Sequence, residues 1–239
     1  MEYGELVGVY EELAGTDARL EKTQILAGVL ESATGELLGP VVRLVRGTAF
    51  EPWEASDLGV ASSLTQAAIS RATGVDEARL EGWWRDTGDL GDAAARAVQT
   101  GGQATLVSRE LTVQTVHEIL RSLATVEGKG SRDRRVGEIA GLVSAASPLE
   151  AKYLVRTVAG AMRLGIGEGL LRDAIARAFL DDADEAADAV KRAYAVTNDF
   201  SVVATTARDQ GRAGLGELHM ELFRPIKPML AQRSEDLDT

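Results

Sequence analysis

Three glycines occupy alternate positions at the start of the stretch MRLGIGEGLLRDAIARAF, Met162 to Phe179: Gly165, Gly167 and Gly169. From Leu170 onward the apolar spacing is that of an amphipathic helix, and glycine inside a helix costs roughly 1 kcal/mol relative to alanine. At a helix entrance the same residue type has a use. A Gly-x-Gly turn lets backbone N–H groups approach a ligand without Cβ interference, and the helix dipole adds about half a positive charge there. The chemistry on offer is anion binding, with phosphate as the natural guest. The candidate contacts in this turn are Gly165, Ile166 and Gly167.

A second stretch, GKGSRDRR at 128–135, gathers Gly128, Lys129, Gly130, Ser131, Arg132, Arg134 and Arg135. Cations are disfavoured at the positive end of a helix dipole, so an external anion would resolve the arrangement; the internal alternative is pairing with Asp133 and Glu138. LGV at 58–60, with Gly59, and GDLGDAA at 88–94, with Gly88 and Gly91, share the form. Several such entrances in one chain suit a regular anion lattice such as a nucleic-acid backbone. If about four phosphates are neutralised, log K falls with log salt at a slope of about −3.6.

Other chemistry finds little support. The chain has no Cys, which excludes disulfides, thiolate metal sites and cysteine catalysis. His117 and His219 are far apart and lack Cys partners, and DDADEAAD lacks the spacing of a calcium loop, so no metal site is expected. Trp53, Trp83 and Trp84 have faces that could stack on bases, but the spacing of Trp83 and Trp84 with Leu80 reads as core.

The elements that must hold these turns are helices. In 239 residues there are only five Pro and 5% aromatics, and helical periodicity runs nearly throughout. Twelve helices are expected, near 2–14, 17–33, 36–46, 62–73, 76–86, 89–99, 112–125, 132–146, 148–162, 167–179, 182–195 and 199–208. SPLE at 147–150 is a start signal, with Ser as cap, Pro in the first turn and Glu at its third position. The net charge of −11, with 37 acidic residues and only five Lys among 26 basic ones, weakens a nucleic-acid reading without excluding it. It suits a surface adapted to concentrated salt. No apolar run has the length to span a bilayer, and the acidic N-terminus is unlike a signal peptide, so a soluble, cytoplasmic protein is expected.

The polar stretch TGGQATLV, 100–107, divides the chain into halves that resemble each other. LGVASSLTQAAISRA at 58–72 aligns on LGIGEGLLRDAIARA at 164–178 with seven identities in fifteen positions. LAGVLESAT at 26–34 lies over IAGLVSAAS at 139–147, and VVRLV at 41–45 over LVRTV at 154–158. The expected fold is all-α, a compact multi-helix domain over 1–222 whose halves, about 1–105 and 106–222, are related by a pseudo-twofold. From the residues alone a helical protein–protein adaptor built on the paired repeats is the competing reading.

The block GKGSRDRRVGEIAGLVSAASPLEAKYLVRTVAGAMRLGIGEGLLRDAIARAF resembles the N-terminal DNA-binding domain of ATP-dependent DNA ligases. RLEKTQILAGVL, LGVASSLTQAAI, GDLGDAA and LTVQTVHEIL support the likeness in order along the chain. RPIKPMLAQR resembles the opening of the ligase nucleotidyl-transfer domain, making 223–239 a linker and the start of that domain. The resemblance implies a monomer that encircles nicked duplex DNA through its minor groove, with GKGSR and MRLGIG as the main sugar-phosphate contacts, which adds Arg163 and Leu164 to the candidates, and with LGV and GDLG as secondary ones. It implies service in replication, repair and recombination beside the catalytic domains of the same ligase. A sliding clamp is a further implied partner at QATLV, 103–107, although the aromatics of the archaeal clamp motif are absent there. The Arg-rich, Lys-poor style is similar to ligases of salt-loving archaea. Ligases of this family attach AMP to a Lys followed by x-Asp-Gly, and none of Lys22, Lys129, Lys152, Lys191 and Lys227 has that context. This chain alone is expected to be non-catalytic and to need no cofactor, ATP and Mg²⁺ belonging to the catalytic domain.

Overall fold

The computed structural model describes residues 1–51, 54, 60–101, 111–181, 183–222, 224 and 226. Among them are twelve α-helices and no strand. The first six are α1 (Tyr3–Ala14), α2 (Arg19–Ser32), α3 (Leu38–Val45, entered through a 3₁₀ turn at Gly35–Leu37), α4 (Ser62–Thr73), α5 (Glu77–Thr87) and α6 (Leu90–Thr100). The second six are α7 (Val113–Thr125), α8 (Ser131–Ala145), α9 (Pro148–Val158), α10 (Glu168–Phe179), α11 (Ala183–Thr197) and α12 (Phe200–Glu217). An isolated bridge between Glu2 and Thr112 ties the chain start to the start of α7.

Local chemistry accounts for most boundaries. Ser147 and Glu150 form the reciprocal capping box expected at α9, with Pro148 in its first turn. Asp76, Asp89, Thr112 and Asp199 likewise cap α5, α6, α7 and α12 by accepting from first-turn N–H groups. Two boundaries differ from the periodicity. The ninth helix ends at Val158 rather than near 162, because Gly160 (φ 63°) and Arg163 (φ 54°) turn left-handed. The last helix continues to Glu217, through a break at Gly211 (φ 61°, ψ −155°), a conformation essentially restricted to glycine.

The helices share one apolar core, which takes in Leu6, Leu26, Leu44, Ile69, Leu120, Ile175 and Phe200, each at most 1% exposed. Its organisation follows the internal repeat. α2 packs on α10 as α8 packs on α4; α6 packs on α9 as α12 packs on α3; α1 meets α9 as α7 meets α3. Exchanging α1–α6 for α7–α12 converts each of these packings into another. These packings join a helix of one repeat to a helix of the other, so the halves interlock rather than sit side by side. Trp83 is buried, with the guanidinium groups of Arg79 and Arg96 4.9 and 4.6 Å from its ring centroid, and Trp84 is half-buried against the core. Trp53 lies outside the described residues. No helix among the described residues is long and apolar enough to cross a membrane.

Candidate nucleic-acid interface

The turn from Met162 to Gly167 is built on two buried anchors, Met162 and Leu164, which alternate with exposed Arg163 and Gly165. Arg163 (φ 54°) and Gly165 (φ 69°) are both left-handed, so the backbone doubles back around Leu164. Gly165 thus has a conformational reason to be glycine. Gly167 does not: it is the N-cap of α10 at φ −89°, ψ 168°, and a Cβ there would meet nothing within 4 Å. Gly167 supplies no side-chain cap, and the N–H groups of Gly165, Ile166 and Gly167 have no partner among the described residues. Three unpartnered donors and the positive end of α10 therefore lie in the same turn.

Neighbouring elements add charge to this turn. Lys22 of α2 crosses to donate from Nζ to the Leu164 carbonyl at 2.9 Å. Arg19, one turn earlier on the same helix, pairs with Asp173 of α10 at 2.7 Å. Arg163 Nη1 lies 3.9 Å from Asp89 Oδ2, which brings the GDLG turn beside the MRLGIG turn. Asp89 is committed inward: it caps α6 and pairs with Arg156 of α9 at 3.1 Å. Burial alone would raise the Asp89 pKa, but the Arg156 guanidinium and two backbone N–H groups hold it below the usual carboxylate range. Gly88 is exposed at φ 69°, ending α5. Gly91 is buried. Its Cβ would fall 2.6 Å from the Lys152 carbonyl oxygen and 2.8 Å from Arg156 Cγ, so close packing of α6 on α9 accounts for this glycine.

The second turn presents a similar backbone with more cations. Gly128 (φ 82°) and Gly130 (φ 80°) are left-handed and exposed, and Gly130 is the N-cap of α8, again without a side-chain cap. Lys129 and Gly130 have no N–H partner among the described residues. The cations divide into two sets. Arg134 donates to the Glu127 carbonyl at 2.5 Å, and Arg135 to those of Leu123 and Val126 at 3.1 and 2.9 Å. They thus bond the end of α7, whose negative dipole end relieves the cost of placing them at the start of α8. Lys129 and Arg132 are exposed and form no ion pair among the described residues, with Asp133 and Glu138 or any other carboxylate. Ser131, half-buried, opens the helix. Gly59 lies outside the described residues; the α4 entrance it precedes is capped by Ala61, at the repeat position of Gly167.

Lys22, Arg19, Asp89 and Arg156 were not legible as site residues from spacing. Their signal is tertiary, since Lys22 and Leu164 are 142 residues apart.

The geometry defines an all-helical module that exposes uncapped, cation-flanked helix entrances suited to anionic polymers. Comparison with known proteins makes the class specific: the family model for the DNA ligase N terminus matches residues 2–176, and the chain belongs to that family. The DNA ligase of Thermococcus onnurineus (strain NA1) is 41% identical over 234 residues, covering 98% of this chain and 41% of the relative. The DNA ligase of Methanothermobacter thermautotrophicus is 42% identical over 237 residues, covering 99% and 42%. That of Archaeoglobus fulgidus is 38% identical over 240 residues, covering 100% and 42%. The chain thus spans about two fifths of the length of these relatives.

Proposed function

We propose that this chain grips duplex DNA, nicked duplex above all, by sugar-phosphate contacts along the minor groove while the catalytic domains of the same ligase seal the break. Lys129 and Arg132 with the N–H groups of Lys129 and Gly130 form one contact; Arg163 with the N–H groups of Gly165, Ile166 and Gly167 forms the other. Gly88 flanks the second contact, and the α4 entrance at 58–61 is its counterpart in the first repeat. Arg135, Leu164 and Gly91 support these turns from within. One observation carries the reading. In a chain of net charge −11, Lys129 and Arg132 form no ion pair among the described residues, and they stand at an uncapped helix entrance.

The wider assignment to nick sealing in replication, repair and recombination, in a monomer of a salt-adapted cytoplasm, belongs to this proposal. So do ATP and Mg²⁺ as needs of the catalytic domain, and a sliding clamp as a partner at 103–107, outside the described residues. A nicked 30-base-pair duplex and its intact counterpart, titrated across a salt series, test the core of it: binding should favour the nicked duplex and weaken steeply with salt. Absence of binding at low salt would instead support the adaptor reading.

A further inference from the structure

The role of Lys22 goes beyond charge near a turn. It lies on α2, in the other repeat, and forms no ion pair with a carboxylate among the described residues. Its ammonium instead reaches the carbonyl of Leu164, the one residue held between the left-handed Arg163 and Gly165. That carbonyl belongs to the same peptide unit as the Gly165 N–H, the first of the three unpartnered donors. A cation on the oxygen of a peptide group polarises its N–H and strengthens it as a donor. It also fixes the plane of that peptide, and with it the direction of the N–H. The fit is close: a Cβ on Gly165 would lie 3.3 Å from Lys22 Nζ, so the ammonium is seated against the turn.

The turn needs such a brace. A non-glycine residue at φ 54° is strained and persists only where its surroundings over-determine it. Leu164 anchors the turn through its buried side chain, while the backbone of Gly165 and Ile166 has no hydrogen bond among the described residues, and Gly167 is held only through its carbonyl, which accepts from the Leu170 and Leu171 N–H groups of α10. Arg19 pairs with Asp173, inside α10, whereas Lys22 bonds the backbone of the turn itself.

We infer that Lys22 is a positioning residue for the α10 entrance: by binding the Leu164 carbonyl it sets the Gly165–Gly167 N–H groups in the orientation that takes a phosphate. This rests on the DNA-gripping reading for its ligand, but the bracing itself is measurable in the free protein. Three forms suffice, the parent, Lys22→Met, which keeps the stem without the charge, and Lys22→Arg, which restores a donor.

In the free protein, ¹⁵N relaxation should give the parent order parameters near 0.85 at Gly165 and Gly167, values below about 0.6 in Lys22→Met, and recovery in Lys22→Arg. Duplex affinity should fall about tenfold in Lys22→Met and recover in Lys22→Arg, with the slope of log K against log salt unchanged, because Lys22 faces a carbonyl and not a phosphate. Unchanged order parameters in Lys22→Met would overturn the inference. So would a drop in slope of about 0.9 with a rigid turn, which would make Lys22 a direct phosphate ligand. A loosened turn with parental affinity would overturn the functional half. If the parent itself binds no duplex, the DNA reading fails, and the order parameters still decide whether Lys22 holds the turn.

Discussion

Gly167→Ala separates contact with DNA from turn geometry. The backbone at Gly167 (φ −89°, ψ 168°) is open to any L-residue, and the added methyl meets no atom within 4 Å. The repeat supplies its own control, since Ala61 caps α4 at the equivalent position in the same extended conformation. Two small stability terms oppose each other: alanine is a poorer N-cap than glycine, by roughly 0.5–1 kcal/mol, and it removes unfolded-chain freedom worth about 0.4–1 kcal/mol. They nearly cancel, so the thermal midpoint should move by less than about 2 °C in a chain of this size. DNA binding should respond differently. The methyl would stand where the sugar-phosphate approaches, and losing one N–H donor to a charged oxygen costs about 1.5–3 kcal/mol, roughly 10- to 150-fold in affinity. The assay is duplex titration by fluorescence anisotropy, with thermal unfolding in the same buffer. Affinity within twofold of the parent would refute the contact. Gly130→Ala is less informative, because φ 80° strains alanine whether or not DNA is present.

Replacing Lys129 and Arg132 together by Ala should reduce the salt slope by about 1.8, or 0.9 for each phosphate no longer neutralised, and duplex titration at four salt concentrations measures it. Gly91→Ala should act on the fold: a Cβ 2.6 Å from a backbone oxygen overpacks the α6–α9 interface by about 1–3 kcal/mol, lowering the thermal midpoint by roughly 2–8 °C. His117 gives an acid response. Burial, with help from the Arg43 and Arg121 charges, pulls its pKa down to about 4 from the usual 6.5, so the unfolded chain binds the proton first. Its contribution is complete above pH 6.5 and is lost as pH falls from 6.5 to about 4, on the order of 3 kcal/mol in all. Denaturant unfolding of His117→Asn at several pH values should show a flatter slope in that window. Incubated with ATP and Mg²⁺, the chain should gain no mass corresponding to covalent AMP; a stoichiometric adduct would show that a lysine here is the nucleophile.

The helices were legible because their signals are local. Ser147-Pro148-Leu149-Glu150 announces α9 within four residues, and the 3.6 periodicity of 167–179 and 112–125 survives in α10 and α7. The glycines were legible as turns but not as kinds of turn. Gly128, Gly130 and Gly165 need positive φ, Gly167 needs only an extended backbone, and Gly91 answers to a helix packed across it; nothing in the spacing separates the three cases. The fate of Arg134 and Arg135 was equally hidden, because the carbonyls they bind become available only when α7 ends beside them. Lys22 was out of reach for the same reason.

The interlocked packing of the repeats has a kinetic consequence. The bonds from Arg19 to Asp173 and from Ser201 to Glu51 span 154 and 150 residues, so helices of the second repeat must be made before those of the first meet their native neighbours. Inter-helix pairings of such sequence separation slow folding, and during synthesis α2 and α3 emerge long before α10 and α12 exist to cover them. Neither repeat is then an autonomous folding unit. Fragments 1–101 and 111–222 should each remain largely unfolded in isolation and regain helical structure when mixed, because each carries the helices that the other lacks as packing partners.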